Sequence, residues 1–246
     1  MKAVILAGGF GKRLKPLTDD RPKPMIQVGE NSIMEWQLSW LHSYGIDQIV
    51  ICTGYLKEVI INKIGSGKKF GVSVGYSVEE SPLGTGGAIK NAQSLVQNEA
   101  KFLVINGDIL ANFNPLELFH NVDGERISGS IAAVPLRSSY GIVQISGSLA
   151  KGFEEKPILK DFWINAGVYC LSTKIFDILP ESGNLEQSTL PYLASQNRLE
   201  VKKFENAYWR SIDSHKDVEE AEKEIGLLTR PVKQIQAEPV LTSQVP

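Results

Sequence analysis

Lys12, Arg13, Lys15, Arg21 and Lys23 crowd into twelve positions directly after a glycine turn, Ala7-Gly8-Gly9-Phe10-Gly11. Glycines let a ligand come close to the backbone and offer N–H groups to phosphate oxygens. The cations that follow can balance several negative charges. The turn itself follows Val4-Ile5-Leu6, large aliphatics that stop at glycines, which is the pattern of a buried strand. Strand, glycine turn and basic cluster together imply a polyphosphate site. Two common phosphate motifs are excluded. The Walker pattern needs Gly-Lys-Ser/Thr, and here Arg13 follows Gly11-Lys12 while Leu6 holds the first glycine position. The dinucleotide fingerprint needs a glycine three residues after Gly11, where Leu14 stands. A basic surface turn after a core strand is the bland alternative; Arg13 and Lys23 downstream argue against it.

Three further groups could join the chemistry. Glu80-Ser81-Pro82-Leu83-Gly84-Thr85-Gly86-Gly87-Ala88 opens a helical pattern, so its glycines are expected to present free N–H groups at a positive helix end; a glycine-capped turn is the alternative. Asn106-Gly107-Asp108 ends an apolar run, where a carboxylate can hold Mg²⁺ or simply cap a turn. Phe153-Glu154-Glu155-Lys156-Pro157 precedes Ile164-Asn165-Ala166-Gly167-Val168. There a carboxylate could accept hydrogen bonds from hydroxyls and a Lys could pair with a phosphate, although taken alone it is a charged turn.

The elements that must position these groups alternate. Apolar runs predict strands over 3–6, 48–52, 73–77, 102–106, 130–134, 141–145, 163–170 and 200–204, and helical patterns cover 34–44, 57–64, 86–96, 114–121, 173–179 and 216–228. That order implies βαβ units and an α/β, doubly wound, mostly parallel sheet in a single domain over 1–228. Ligands bind beyond the carboxyl ends of such strands, and Gly8-Gly9, Gly107-Asp108 and Asn165-Ala166-Gly167 all fall at or near strand ends. Residues 229–246 contain Pro231, Pro239 and Pro246 with little periodicity and are expected to form a tail.

Composition narrows the class. A net charge of −2 over 246 residues argues against general nucleic-acid affinity, so the basic cluster is a site and not a footprint. No apolar run reaches the roughly 18 residues of a membrane span, and the start lacks a signal-peptide pattern. Cys52 and Cys170 lie in separate strand-like runs and are expected to be reduced core thiols of a cytoplasmic protein. His42, His120 and His215 fall outside every motif, which leaves no Ser/Cys–His pair for nucleophilic catalysis.

Residues 6–18 and 23–25 resemble the signature of the sugar-1-phosphate nucleotidyltransferases, LAGGxGTRLxPLT followed by KPM, with Lys12 where Thr is usual. The resemblance extends over roughly residues 1–225, its blocks in family order. It implies a Rossmann-like nucleotidyltransferase fold, Mg²⁺ as cofactor, and a nucleoside triphosphate and a sugar 1-phosphate as substrates, with neither nucleic acid nor membrane as partner. It implies catalytic roles for Arg13, Lys23 and Asp108, and nucleotide contacts from Leu6, Ala7, Gly8, Gly9, Gly11, Arg13, Lys23, Glu80, Gly84, Thr85, Gly107 and Asp108. Sugar-phosphate contacts fall to Tyr140, Gly141, Glu155, Lys156, Asn165 and Gly167. The first metal ligand is Asp108. For the second, the commonest pattern W-x-D-x-G places Ser211 where the Asp belongs, whereas Trp209-Arg210-Ser211-Ile212-Asp213 is closer to the W-x-P-M-D-T form of glucose-1-phosphate cytidylyltransferases, which favours Asp213. Leu83-Gly84-Thr85-Gly86-Gly87 with Ile164-Asn165-Ala166-Gly167 points to a mannose-1-phosphate guanylyltransferase. Heptose-1-phosphate guanylyl, cytidylyl, thymidylyl and uridylyl transfer stay open, as does a non-catalytic regulatory protein that binds nucleotide sugars. Many relatives carry a second, β-helical domain, for which this chain is expected to be too short. Assembly as a homo-oligomer is left open.

Overall fold

The computed structural model describes residues 1–228. The chain enters through β1 (Lys2–Ala7), makes a small hairpin of β2 (Gln27–Val28) and β3 (Asn31–Ser32), and runs into α1 (Ile33–Ser43). Strand and helix then alternate through β4 (Gln48–Thr53), α2 (Lys57–Ile64), β5 (Ser73–Val78), the consecutive helices α3 (Gly84–Asn91) and α4 (Gln93–Val96), and β6 (Lys101–Asn106). A short β7 (Ile109–Ala111) leads to β8 (Gly129–Arg137), a hairpin of β9 (Ile142–Ser146) and β10 (Leu149–Glu154), and the long β11 (Ile158–Ser172). The described chain closes with α5 (Thr189–Ser195), β12 (Leu199–Lys203), β13 (Trp209–Ser211), α6 (His215–Lys223) and α7 (Ile225–Leu228).

Seven strands form one sheet in the order β12-β8-β11-β6-β1-β4-β5. β1 is central, parallel to β4 and β6, while β11 runs antiparallel to β6 and β8, the one strand of the sheet in that direction. Because both faces of β1 are covered, its apolar run does not alternate with polar residues. Ala3 and Ile5 pack with Met34, Leu38 and Ile60 beneath α1 and α2; Val4 faces the other way, toward Ala88 and Ile89 of α3 and Leu190 and Leu193 of α5. The α/β, mostly parallel architecture expected from the sequence is the one present.

Several expected elements differ. The helices over 114–121 and 173–179 are single 3₁₀ turns, Pro115–Phe119 and Thr173–Asp177, entered through Asn114 and Ser172, whose side chains accept from Leu116 and Lys174 N–H. The pattern over 86–96 begins two residues early at Gly84 and is broken at Ala92. The last helix begins at His215 and is interrupted at Glu224. α5 was not expected, because Pro191 disguises it; in a first turn, where the N–H needs no partner, proline is tolerated. The tail expected at 229–246 lies outside the described residues. Both cysteines are buried free thiols, and among the described residues no helix is long and apolar enough to cross a membrane.

Candidate active site

Parallel pairing of β1 with β6 sets two turns side by side, Gly8-Gly9 after one and Gly107-Asp108 after the other. Gly107 N–H donates to the Leu6 carbonyl at 2.9 Å. A Cβ on Gly107 would stand 2.4 Å from that oxygen, so no other residue fits. The Asp108 turn is held from behind by Gln37 of α1, whose amide donates to the carbonyls of Asn106 and Ile109, each at 2.9 Å. α1 is anchored in turn by a capping box: Glu35 N–H donates to Ser32 Oγ, and Ser32 N–H to the Glu35 carboxylate. A buried glutamine on a helix face gives no periodic signal, and the sequence analysis passed over Gln37.

β13 pairs antiparallel with β7, and the Ile212 N–H donates to the Asp108 carbonyl at 2.9 Å, which brings Asp213 opposite Asp108. Lys23 Nζ lies between them, 2.6 Å from Asp108 Oδ2 and 2.8 Å from Asp213 Oδ1. Arg13, on the 3₁₀ turn after Gly11, reaches the same Asp213 Oδ1 at 2.7 Å, and Ser211 Oγ donates to Asp213 Oδ2 at 2.7 Å. Burial pushes the Asp213 carboxyl up, but hydrogen bonds from Lys23 and Ser211 with the charges of Lys23 and Arg13 outweigh it and hold the group below the usual carboxylate range. Asp213 does not cap α6; Ser214 does, accepting from Asp217 N–H.

A cleft of about 310 Å³ opens at these turns. Leu6, Ala7, Gly8, Gly9, Gly11, Lys23, Gly84, Thr85, Gly107 and Asp108 line it, as the sequence led us to expect; Arg13 does not. Glu80 does not either: its side chain is 87% exposed and pairs with Lys57 at 3.5 Å. Its neighbour Glu79 lines the cleft instead. Glu79 continues the pairing of β5 by one residue, its N–H donating to the Thr53 carbonyl at 2.8 Å, whereas Glu80 is already in the bend that follows, so one position decides which carboxylate looks inward. Glu79 Oε2 accepts from Leu83 N–H at 3.0 Å, Oε1 faces Gly8, and burial raises the carboxyl above its ordinary value.

The second glycine stretch differs from expectation in its physics. Three of its N–H groups are not offered to a ligand: those of Gly86 and Gly87 donate to the Gly183 carbonyl and that of Thr85 to Asn184 Oδ1. The glycines serve close packing: a Cβ on Gly84, which has φ +73°, would lie 2.6 Å from the Gly183 oxygen.

A larger cavity of about 780 Å³ adjoins, lined by Arg13, Lys156, Ser211 and Asp213 along with Arg137 and Lys216. Of the six expected sugar-phosphate residues, Lys156 alone stands on its wall. Glu155 pairs with Lys156 at 3.7 Å, Gly141 packs against Phe153 and Glu155, and Tyr140 is 80% exposed. Asn165 is occupied internally, accepting from Gly167 N–H at 2.8 Å and donating to Tyr169 Oη at 2.7 Å. Gly167, at φ +69°, packs on Asn106 at the cleft wall.

The donor set suits Mg²⁺. Asp108 and Asp213 already converge on one cationic nitrogen, and among the described residues no group of three or more His, Cys, Asp or Glu gathers as a full protein cage. Two carboxylates, with water and phosphate oxygens completing the shell, is how this ion is commonly held.

A doubly wound sheet with a glycine-lined cleft, Lys23 and paired carboxylates at its carboxyl edge is the architecture of a nucleotide-handling class. The nucleotidyl transferase family profile spans residues 2–226, and the chain belongs to that family. It is 33% identical over 228 residues to a mannose-1-phosphate guanyltransferase of Candida albicans, covering 88% of this chain and 62% of that relative. It is 34% identical over 233 residues to a D-glycero-alpha-D-manno-heptose 1-phosphate guanylyltransferase of Aneurinibacillus thermoaerophilus, covering 92% of this chain and 98% of that one. The fold superposes on the crystal structure of HddC from Yersinia pseudotuberculosis with TM-score 0.72 and 29% identity, over 91% of this chain and 99% of that chain. With HddC complexed with GMP-PN the TM-score is 0.69.

Proposed function

We propose that this chain transfers a nucleotidyl group from a nucleoside triphosphate to a sugar 1-phosphate and releases pyrophosphate. The observation that carries this reading is the contact between the two cavities. Lys23 belongs to the glycine-lined cleft, Asp213 and Arg13 to the larger cavity, and the three side chains touch. A triphosphate in the first and a phosphorylated acceptor in the second would meet at Lys23.

In that arrangement an oxygen of the sugar phosphate attacks the α-phosphorus in line, the new P–O bond forms, and the bond to the β-phosphate oxygen breaks. No covalent enzyme intermediate is needed, so the protein contributes positioning and charge. Lys23 holds the phosphate under attack, Arg13 takes the departing pyrophosphate, and Lys156 aligns the acceptor phosphate. Asp108 and Asp213 would hold Mg²⁺, which when bound would supply positive charge for the phosphate oxygens. Leu6, Ala7, Gly8, Gly9, Gly11, Gly84, Thr85 and Gly107 shape the nucleotide cleft, while Tyr140, Gly141, Glu155, Asn165 and Gly167, which lie off the wall of the larger cavity, are assigned to the acceptor by the family resemblance alone.

GTP is the proposed donor. Glu79, an inward carboxylate in the cleft, matches the N1–H and N2–H donor edge of guanine. The names of the mannose and heptose relatives and the GMP-PN complex of HddC support the same base. Mannose 1-phosphate is the proposed acceptor. A heptose 1-phosphate is the second reading, favoured by the match over 98% of the heptose relative and by the size of the acceptor cavity. The test is pyrophosphate release from GTP, CTP, UTP, dTTP and ATP, each crossed with mannose, glucose and heptose 1-phosphates in Mg²⁺. We expect GTP with a manno-configured acceptor to lead. Tight GTP binding with no pyrophosphate from any pair would instead indicate a nucleotide-sugar sensor.

A further inference from the structure

Glu186 belongs to none of the motifs above, yet both of its carboxylate oxygens are taken by hydroxyls from different elements, α3 and β11. Thr85, on the rim of the nucleotide cleft, donates to Oε2 at 2.6 Å; Tyr169, within β11, donates to Oε1 at 3.1 Å. The directions of these bonds follow from their neighbours. Leu185 N–H donates to Thr85 Oγ1 at 2.8 Å, which leaves the threonine proton for Glu186. Gly167 N–H fixes the Asn165 amide with its oxygen inward, so Asn165 Nδ2 donates to Tyr169 Oη, and the tyrosine proton also points to Glu186. Tyr169 is fully buried, and burial beside Glu186 pushes its phenol well above the ordinary range, so the proton stays on the tyrosine. Every proton along the path from Gly167 to Leu185 therefore converges on one side chain. Only an acceptor at both oxygens completes the path; an amide must leave one hydroxyl facing a donor.

We propose that Glu186 is a positioning residue that couples the nucleotide and acceptor sides of the site. It ties Thr85, in the first turn of α3, to the irregular stretch of β11 at Asn165–Gly167, which the functional reading places on the acceptor side, so that ordering either end by its ligand orders the other. The inference rests on the functional reading above. The network is part-buried, anchored on the buried Tyr169, and its directions are fixed, so it has few alternative arrangements and a shift at one end is passed on and not absorbed.

The test is a double-mutant cycle in the full chain with GTP and mannose 1-phosphate, measuring both KM values and kcat. Thr85→Val breaks the path on the nucleotide side; Glu186→Gln keeps shape but mispairs one hydroxyl; Tyr169→Phe cuts the acceptor side. We expect Thr85→Val to raise KM for mannose 1-phosphate roughly 5–10-fold, within the ordinary span of coupling between sites, although Thr85 lines the other cavity. The same change in the Glu186→Gln background should add less than about twofold, because the path is already cut. Hydrogen exchange gives a readout independent of turnover. GTP should slow exchange at residues 165–169 in the parent protein and leave it unchanged in Glu186→Gln. The inference is overturned if Thr85→Val moves only the GTP KM, or if its effect and that of Glu186→Gln multiply independently. Failure of the functional reading looks different: the parent protein would then neither bind GTP nor release pyrophosphate, and the coupling proposal falls with it.

Discussion

Lys23 Nζ sits 2.6 Å from Asp108 Oδ2 and 2.8 Å from Asp213 Oδ1, so one ammonium group holds together the two carboxylates proposed to bind a divalent ion. Lysine and metal compete for the same oxygens. Nucleotide can relieve the competition, because its phosphates offer Lys23 another partner. Lys23→Met should therefore lower kcat by about 10²–10³ while making Mn²⁺ binding in the absence of nucleotide tighter, read by the electron paramagnetic resonance of free Mn²⁺. Weaker Mn²⁺ binding in the variant would show that the lysine organises the carboxylates and does not block them.

Arg13 carries a second prediction. Its side chain is 78% exposed and, among the described residues, ion-paired with Asp213 alone, which leaves the fork free to turn toward a triphosphate. Arg13→Ala should cost about 10²–10³ in kcat, as expected for a lost transition-state donor. Lysine should restore only part, since it is a point charge without the planar fork. Near-full turnover in Arg13→Ala would remove the residue from the mechanism.

Ser211 and Asp213 can be separated by pH. The folded pKa of Asp213 is depressed, so its contribution to stability is present above the ordinary carboxylate range and is lost as pH falls through the folded value. Ser211→Ala removes one donor to that carboxylate. Its acid limb, in stability and in turnover, should move to higher pH with a mild loss at neutrality. Asp213→Asn should lose most activity and need far more Mg²⁺. The reverse ranking in a Mg²⁺ titration would give the ligand position to Ser211.

Glu79 makes an opposite pH prediction. Its folded pKa is raised, so the stability linked to it is fully present in acid and is lost as pH rises through the folded value. Glu79→Gln should melt higher than the parent at pH 7 and the same near pH 4. It should also weaken GTP by about 1–3 kcal/mol relative to other triphosphates, the range for a lost buried contact. Equal losses for all triphosphates would mean that Glu79 does not read the base.

Gly84→Ala should damage every substrate alike. The new Cβ meets the Gly183 carbonyl at 2.6 Å in a backbone conformation with φ +73°, a strain of order 1–3 kcal/mol that the fold must absorb. A loss confined to one triphosphate in a pyrophosphate assay would return the loop to base recognition.

What could be read in the chain was what local pattern controls. Val4-Ile5-Leu6 announced a central strand because burial on both faces leaves no room for a polar residue. Asp108 was legible as a carboxylate beside Gly107 at the end of an apolar run, and Lys23 as one of the cations crowded after a glycine turn, whereas Asp213 came only through the resemblance of 209–213 to a family motif. Glu79 and Glu80 could not be told apart without the register of β5 and its turn. Gln37 and Glu186 left no trace, since their partners lie 69 or more and 17 to 101 residues away. The glycines of 84–87 misled because packing against 180–184 and binding an anion demand the same residue type.

The chain leaves the main sheet at Arg137 and returns at Ile158, and these two residues are paired with each other across β8 and β11. Everything between them, hairpin and Lys156 included, hangs from adjacent points on the rim. Such an excursion is a modular appendage: apart from the buried Pro157 it lends no side chain to the hydrophobic core, so it can be shortened, enlarged or exchanged with little repacking. Acceptor preference can thus drift by grafting while the nucleotide half stays intact. Replacing 138–157 with a tight turn should accordingly leave a cooperatively unfolding protein that binds GTP and transfers it to nothing.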